Sequence, residues 1–383
     1  MHAEKFLHKL FNKAIHKKRI ILLGQMLEGV IETKQLSLTA VGRRLKLPIQ
    51  ERSAIRKVDR CLSNAYFQDE NIESYRYITK LAVGNLGRAE ILIDWSKLPN
   101  VEEYVLRAAL AAEGRAITLY EEVHCHKRGT LRKIHREFLH RLNELLPSTC
   151  RPIIVTDAGF HSPWFKEVLA LGWDYVGRVR GTVTYEEGNY YKSCAKLHKL
   201  ATLTPTYLGE KKVSHKSPLQ THLYIVKKKL QGRKKRNPGG SLCTTKDSKN
   251  YGRSQREPWL LTSSLSGRNA AKKVVAVYKR RMSIEEAFRD LKSSQYGFSM
   301  SENKTLVKKR LGVWLMIAAL ASLFTWIVGR AAEQQNLHYQ FQANSIKTRR
   351  VLSFFYLGCQ LIRKKITVLI DFDTLQLSVP IYE

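Results

Sequence analysis

The run VYKRRMSIEEAFRDLKSSQYG, residues 277–297, restricts the fold more than any other segment. Wound as an α-helix at about 100° per residue, it places Tyr278, Arg281, Glu285 and Lys292 within an arc of about 60°, and Arg289 joins that face. On an adjacent side Val277, Ile284, Ala287, Phe288 and Leu291 form an apolar stripe that has to dock on a core. One carboxylate therefore stands in a row of cationic and phenolic groups on a rigidly supported helix. Glu286 points about 100° away from the row. Basic amphipathic helices of this kind also occur as plain surface elements, so the row gains meaning only from what the rest of the chain brings to it.

Two aspartates upstream supply that. Asp94 follows the apolar run Ile91, Leu92 and Ile93, and Asp157 follows the apolar run IIVT, with Gly159 available for a sharp turn. Either aspartate alone reads as a turn or cap residue. Together, a carboxylate at the end of each of two buried strands and Glu285 from a helix make a constellation for hard divalent cations bound through oxygen. Two such ions suit an in-line phosphoryl displacement.

Charge points to the substrate. Against 33 acidic residues the chain carries 66 Lys and Arg, a formal net charge of +33, which favours a polyanionic partner and nucleic acid first. Charge alone predicts salt-sensitive binding and says nothing of catalysis. A hydrophobic share of 44% excludes a disordered basic tail, and 383 residues suggest two or three domains.

Cys61, Cys125, Cys150, Cys194, Cys243 and Cys359 are scattered without a CxxC pair, and no secretory leader pattern opens the chain, so reduced thiols in a cytoplasm are expected. His124, Cys125 and His126 raise zinc, but no second ligand pair stands at zinc-site spacing. The uncharged run at 311–329 is long enough to cross a bilayer. Ser322 and Thr325 interrupt it and no comparable segment accompanies it, so a buried core helix is the expectation, with a membrane span as the alternative.

Along the chain, residues 1–83 are basic and helical in pattern. SLTAVGRRL, KLPIQ and ERSAIRKVDRCLSN read as a helix-turn-helix with Pro48 in the turn, its second helix presenting Arg52, Arg56, Lys57 and Arg60 to phosphates or a groove. From about residue 84 three strands, a helix, a strand, a helix and a strand follow, an order consistent with a mixed α/β sheet. Between 182 and 258, VTYEEGNYY and THLYIVKKK alternate like strands and QGRKKRNPGG reads as a basic loop. Its cations, Lys234 and Lys235 among them, are either a solvated charge run or contacts to a DNA backbone. Trp259, before an apolar strand, is by pattern a core residue. Arg178 and Arg180 share a strand face by alternation.

The motifs ILIDWS at Asp94, VTDAGF at Asp157, GRVRG at 177–181, EPWLL at Trp259 and RRMSIEEAFRDLKS resemble, in order and spacing, the Y-R-E-K subgroup of the insertion-sequence-four family of bacterial DDE transposases. The similarity runs over most of the chain, through FQANSIKTRRVLS. It implies an α/β fold: a ribonuclease-H-like catalytic domain (84–181 and 259–298) interrupted by a β-rich insertion (182–258), with an N-terminal helical DNA-binding domain (1–83) and a C-terminal helical region (299–383) making a dimer contact. It further implies Asp94, Asp157 and Glu285 as catalytic ligands of two Mg²⁺ or Mn²⁺ ions. Tyr278, Arg281, Arg289, Lys292, Arg178 and Arg180 would contact DNA, and Trp259 would stack on a flipped base, with core packing as its alternative. The implied partners are double-stranded transposon ends, target DNA and a second subunit in a synaptic complex, with no membrane and a cytoplasmic, nucleoid-associated location. The implied reaction is cut-and-paste transposition through a hairpin intermediate, with no covalent enzyme intermediate.

Overall fold

The computed structural model describes residues 3–11, 14–69, 71–125, 131–228, 241, 245, 257–343, 345–346 and 348–371. They divide into two compact units, one of Met1–Arg151 with Met282–Ile381 and one of Pro152–Arg281. In chain order the first helices are α1 (Ala3–Phe11), α2 (Lys17–Thr33), α3 (Leu38–Arg44), α4 (Glu51–Leu62), α5 (Ala65–Asp69) and α6 (Asn71–Val83). Strands β1 (Glu90–Lys97), β2 (Glu103–Ala111) and β3 (Ala116–Cys125) follow, then α7 (Leu131–Leu145), β4 (Ile153–Thr156), α8 (Ser162–Ala170) and β5 (Asp174–Val179). Next come β6 (Thr184–Glu187), β7 (Tyr190–Ser193), β8 (Thr206–Val213), β9 (Leu219–Val226) and β10 (Trp259–Ser263). Helices α9 (Ala270–Arg280), α10 (Met282–Asp290), α11 (Lys308–Gln334) and α12 (Phe354–Arg363) complete the described α-helices, with short 3-10 helices at Cys194–Leu200 and Leu337–Phe341.

In the first unit, β1, β2 and β3 form an antiparallel meander. Their apolar runs are buried on both faces at Ile91–Ile93 and through most of β2, because helices cover both sides of the sheet. α7 buries Phe138, Leu139, Leu142 and Leu145, a helical stripe, and Phe138 stacks on Tyr120 of β3. α3 and α4, joined through 45–50, pack together as the helix-turn-helix pattern predicts, and they belong to the same unit as β1–β3.

α11 is the apolar run expected to be a core helix or a membrane span. It is long and apolar enough to cross a bilayer, yet 89% of its most apolar stretch is buried against α12, β3, α2 and α6. It is a core helix: its all-round hydrophobicity reflects neighbours on every side. The apolar face of α12, including Phe354, Leu357, Cys359 and Leu361, is covered within the same unit.

In the second unit the strand order is β4-β5-β10-β9-β8-β6-β7. β4 and β5 run parallel, connected through α8, and β10 is inserted antiparallel between β5 and β9. The segment expected as a β-rich insertion thus extends the edge of a sheet. β6 and β7 form a hairpin whose tight turn begins at Gly188, φ +60°. β8 was hidden in the sequence because a register irregularity between Tyr207 and Glu210, with Gly209 at φ +88°, breaks its alternation.

Candidate active site

Asp94 is the fifth residue of β1 and lies opposite Arg107, which in turn lies opposite Glu121. Directly opposed residues of antiparallel strands project to the same side, so these three side chains form a cross-strand row. Arg107 and Glu121 are ion-paired at 2.6 Å with side chains 4% and 0% exposed. Tyr75 donates its hydroxyl to Glu121 Oε1 at 3.3 Å, and burial, with the carboxylate beside it, pushes that phenol well above its usual range. The Asp94 Oδ1 atom accepts the backbone N–H of Trp95 at 2.8 Å.

On the same side of the row lies α10, which carries Glu285. It packs on β1, β2 and β3, and the Arg107 guanidinium stands 4.7 Å from the Phe288 ring centroid. Ile284, Ala287, Phe288 and Leu291 are buried as their spacing predicts, whereas Glu285 is exposed. Asp94 and the helix of Glu285 are therefore brought to one face by the first unit alone.

The second unit gathers a different set. Asp157 directly follows β4, and its Oδ1 accepts the Gly159 N–H at 2.8 Å. Gly159 has no positive φ; a Cβ there would lie 3.0 Å from Asp157 Oδ1, so the glycine leaves room for the carboxylate. Tyr278, on α9, is buried, and burial raises its phenol pKa while Arg281 and Arg178 oppose the shift and Asp157 adds to it. Trp259 is 6% exposed, edge-on to Tyr278 at 4.9 Å, with Lys228 Nζ 3.7 Å from its ring centroid. Arg178 pairs with Glu257 at 3.4 Å, and His198 lies 3.8 Å from the same carboxylate. Arg180 is exposed just beyond β5.

One expectation is corrected. The run 277–297 is not one helix throughout: a turn at Arg281, whose N–H bonds the Tyr278 carbonyl three residues back, separates α9 from α10, and α10 ends at Asp290. Lys292 lies past the end of α10, its N–H bonded to the Arg289 carbonyl. The step of about 100° per residue from Glu285 therefore does not reach Lys292. Arg289 is exposed, its guanidinium 4.6 Å from the Tyr296 ring centroid.

On α4, Arg52 and Arg56 are exposed, while Lys57 is half-buried and donates to Gln25 Oε1 at 3.0 Å. Lys234, Lys235 and His126 lie outside the described residues. His124 hydrogen-bonds Glu122 at 2.6 Å. Among the described residues no three His, Cys, Asp or Glu side chains gather closely enough to hold a metal ion. In kind, the donors Asp94, Asp157 and Glu285 fit hard divalent cations, since all are carboxylates. Helical-face reasoning did not find Arg107, Glu121 or Glu257. For Arg107 a signal existed: one charge inside the otherwise apolar run VLRAALA of β2, which calls for a buried partner.

Carboxylates within β1, directly after β4 and on α10 are the donors that metal-dependent phosphoryl-transfer enzymes use. Residues 106–322 match the family described as transposase DDE domain, more than half of the chain, and the protein belongs to that family. It is accordingly a metal-dependent nuclease and strand transferase that acts on DNA in transposition. The matched region contains Asp157 and Glu285 and begins after Asp94. No curated protein matches the chain.

Proposed function

We propose that the protein is a cut-and-paste transposase of the insertion-sequence-four family, in its Y-R-E-K subgroup, with Asp94, Asp157 and Glu285 as the ligands of two Mg²⁺ or Mn²⁺ ions. The observation that carries this reading is the arrangement of Asp94 and the Glu285 helix on one face of β1–β3. When bound, such ions supply neutralising charge to the attacking and leaving oxygens of an in-line displacement.

Around the carboxylates, Arg178, Arg180, Arg281, Arg289 and Lys292 hold phosphates near the cut end, and Tyr278 adds its hydroxyl. Trp259 supports a flipped base; because Lys228 covers its ring, stacking requires that lysine to swing away. Arg52, Arg56 and Lys57 dock the helix-turn-helix on the element's terminal inverted repeat, with Lys234 and Lys235 on the flanking backbone. The reaction runs from strand cleavage by water, through attack of the freed 3′-hydroxyl on the opposite strand to close a hairpin, to hairpin hydrolysis and joining of the 3′-hydroxyl to target DNA. Two subunits act in one synaptic complex in the cytoplasm, on the nucleoid.

The test uses purified protein, Mg²⁺ and a labelled duplex carrying the end of the encoding element with its flank, resolved on a denaturing gel. Nicks followed by hairpin ends are expected from the wild type and Glu286→Ala but not from Glu285→Ala. Double-strand cuts without hairpins would reduce the protein to a nuclease, and binding without metal-dependent cleavage would overturn the assignment.

A further inference from the structure

We propose that Arg115 is a positioning residue for Glu285, acting as a clasp that sets the rotation of α10 about its own axis; this rests on the reading of Glu285 as a metal-holding carboxylate. At nine residues α10 is too short to hold its place by intrinsic helicity. Its apolar stripe supplies attraction that is non-directional and permits the helix to roll. A roll of about 10° displaces the end of a side chain by about 1 Å, a misplacement that catalysis does not tolerate.

The directional contact comes from the opposite flank. Glu286 and Asp290, one turn apart, both face Arg115, which stands in the turn between β2 and β3. Arg115 Nε lies 2.9 Å from Asp290 Oδ2, Nη2 is 3.3 Å from Asp290 Oδ1, and Nη1 is 3.4 Å from Glu286 Oε2. Arg115 and Asp290 are each 13% exposed, so water screens their pair little. A planar guanidinium whose Nη1 and Nη2 donate to two acidic side chains on one helix resists rolling, and the Asp290 oxygen accepts in either protonation state.

Packing does not do this alone. A cavity of about 40 Å³ adjoins the clasp, lined by Arg115 and Asp290 and by apolar side chains such as Leu291, Phe298 and Trp326, which leaves unfilled space beside the Asp290 carboxyl. Behind Asp290 the chain returns so closely that a Cβ at Gly297 would overlap it, which fixes its backbone but not its carboxyl. Arg115 thus ties the Glu285 helix to the two strands beside Asp94 within one unit.

The experiment compares wild type, Arg115→Ala, Arg115→Lys and Glu286→Gln on the labelled element end. It reads cleavage rate at saturating DNA, the DNA-binding midpoint, the Mn²⁺ concentration for half-maximal cleavage, and Mn²⁺ binding to the protein–DNA complex by electron paramagnetic resonance. Arg115→Ala is expected to cleave about tenfold or more slowly with DNA affinity little changed, to need more Mn²⁺, and to bind Mn²⁺ more weakly. Arg115→Lys should recover part of this loss, and Glu286→Gln, half-exposed and harmless to folding, should show a smaller rise in Mn²⁺ requirement. Wild-type rate and Mn²⁺ binding in Arg115→Ala would overturn the clasp while leaving the transposase reading intact. So would a loss that merely tracks the folded fraction in thermal melts. A wild type without metal-dependent cleavage would remove both.

Discussion

Arg107 meets Glu121 at 2.6 Å across β2 and β3 in a place where neither side chain sees water. The pair is satisfied by Tyr75 on one carboxylate oxygen and covered by Phe288. Breaking it strands one buried charge, so Glu121→Gln or Arg107→Met should cost about 3–5 kcal/mol in chemical denaturation. Lys133 and Glu137, an exposed pair at 3.7 Å, should contribute at most about 0.5 kcal/mol. Equal losses at the two pairs would contradict the burial argument.

Helices α11 and α12 touch through backbone. A Cβ on Gly358 would overlap the carbonyl of Thr325, and the reciprocal contact occurs between Gly329 and Phe354. Gly358→Ala should therefore destabilise by at least about 2–3 kcal/mol. Gly312, in the same long helix, has only Asn71 Nδ2 at 3.4 Å, and Gly312→Ala should stabilise by about 0.5–1 kcal/mol through lower chain entropy. Thermal melts of the two variants should move in opposite directions.

Burial lifts the Asp290 carboxyl from 3.8 to about 7, against the opposing pull of Arg115, Arg289 and Arg107 and with Glu286 adding to the rise. Between those two values the folded chain holds this proton more tightly than the unfolded chain does. Its contribution to stability is complete below about pH 4 and is lost as pH rises through about 7. Relative to Asp290→Asn, the wild type should lose up to about 1.4 kcal/mol per pH unit across that window and level off above it. Urea titrations at several pH values check this; parallel curves for the two proteins would sink it.

Glu257 occupies Arg178, the arginine assigned to a DNA phosphate, and lies near His198. Glu257→Gln removes the internal competitor. Anisotropy with a labelled duplex should show binding a few-fold tighter at low salt, with a salt slope steeper by about 0.9 for one added phosphate contact. An unchanged slope would mean that Arg178 stays where it is and meets no phosphate.

Much of this was legible in the chain itself. The apolar strand runs before Asp94 and Asp157, the helix-turn-helix around Pro48 and the buried stripe of Ile284, Ala287, Phe288 and Leu291 all follow from local periodicity, though β1 continues past Asp94 to Lys97 instead of ending at it. Net charge of +33 pointed to nucleic acid, because charge is summed over the chain and needs no coordinates.

What periodicity could not supply was anything set by a remote partner. A turn at Arg281, with its N–H on the Tyr278 carbonyl, divides a run that reads as one helix, and a second turn, with the Lys292 N–H on the Arg289 carbonyl, takes Lys292 off the row. β10 is inserted between β5 and β9 although more than seventy residues separate it in sequence from β5, a pairing that depends on long-range hydrogen bonds. Whether 311–329 crosses a membrane or fills a core is likewise undecided by its own residues; the neighbours that cover it, α2, α6, α12 and β3, decide it. Arg115 looks like a turn residue until the fold sets Glu286 and Asp290 against it. Sequence determined most of the helices and strands, β8 excepted, and which chemistry they carry, because those depend on near neighbours. Tertiary structure decided which charges are buried, which faces are shared and how the helix of Glu285 is held, because those depend on contacts the linear chain does not contain.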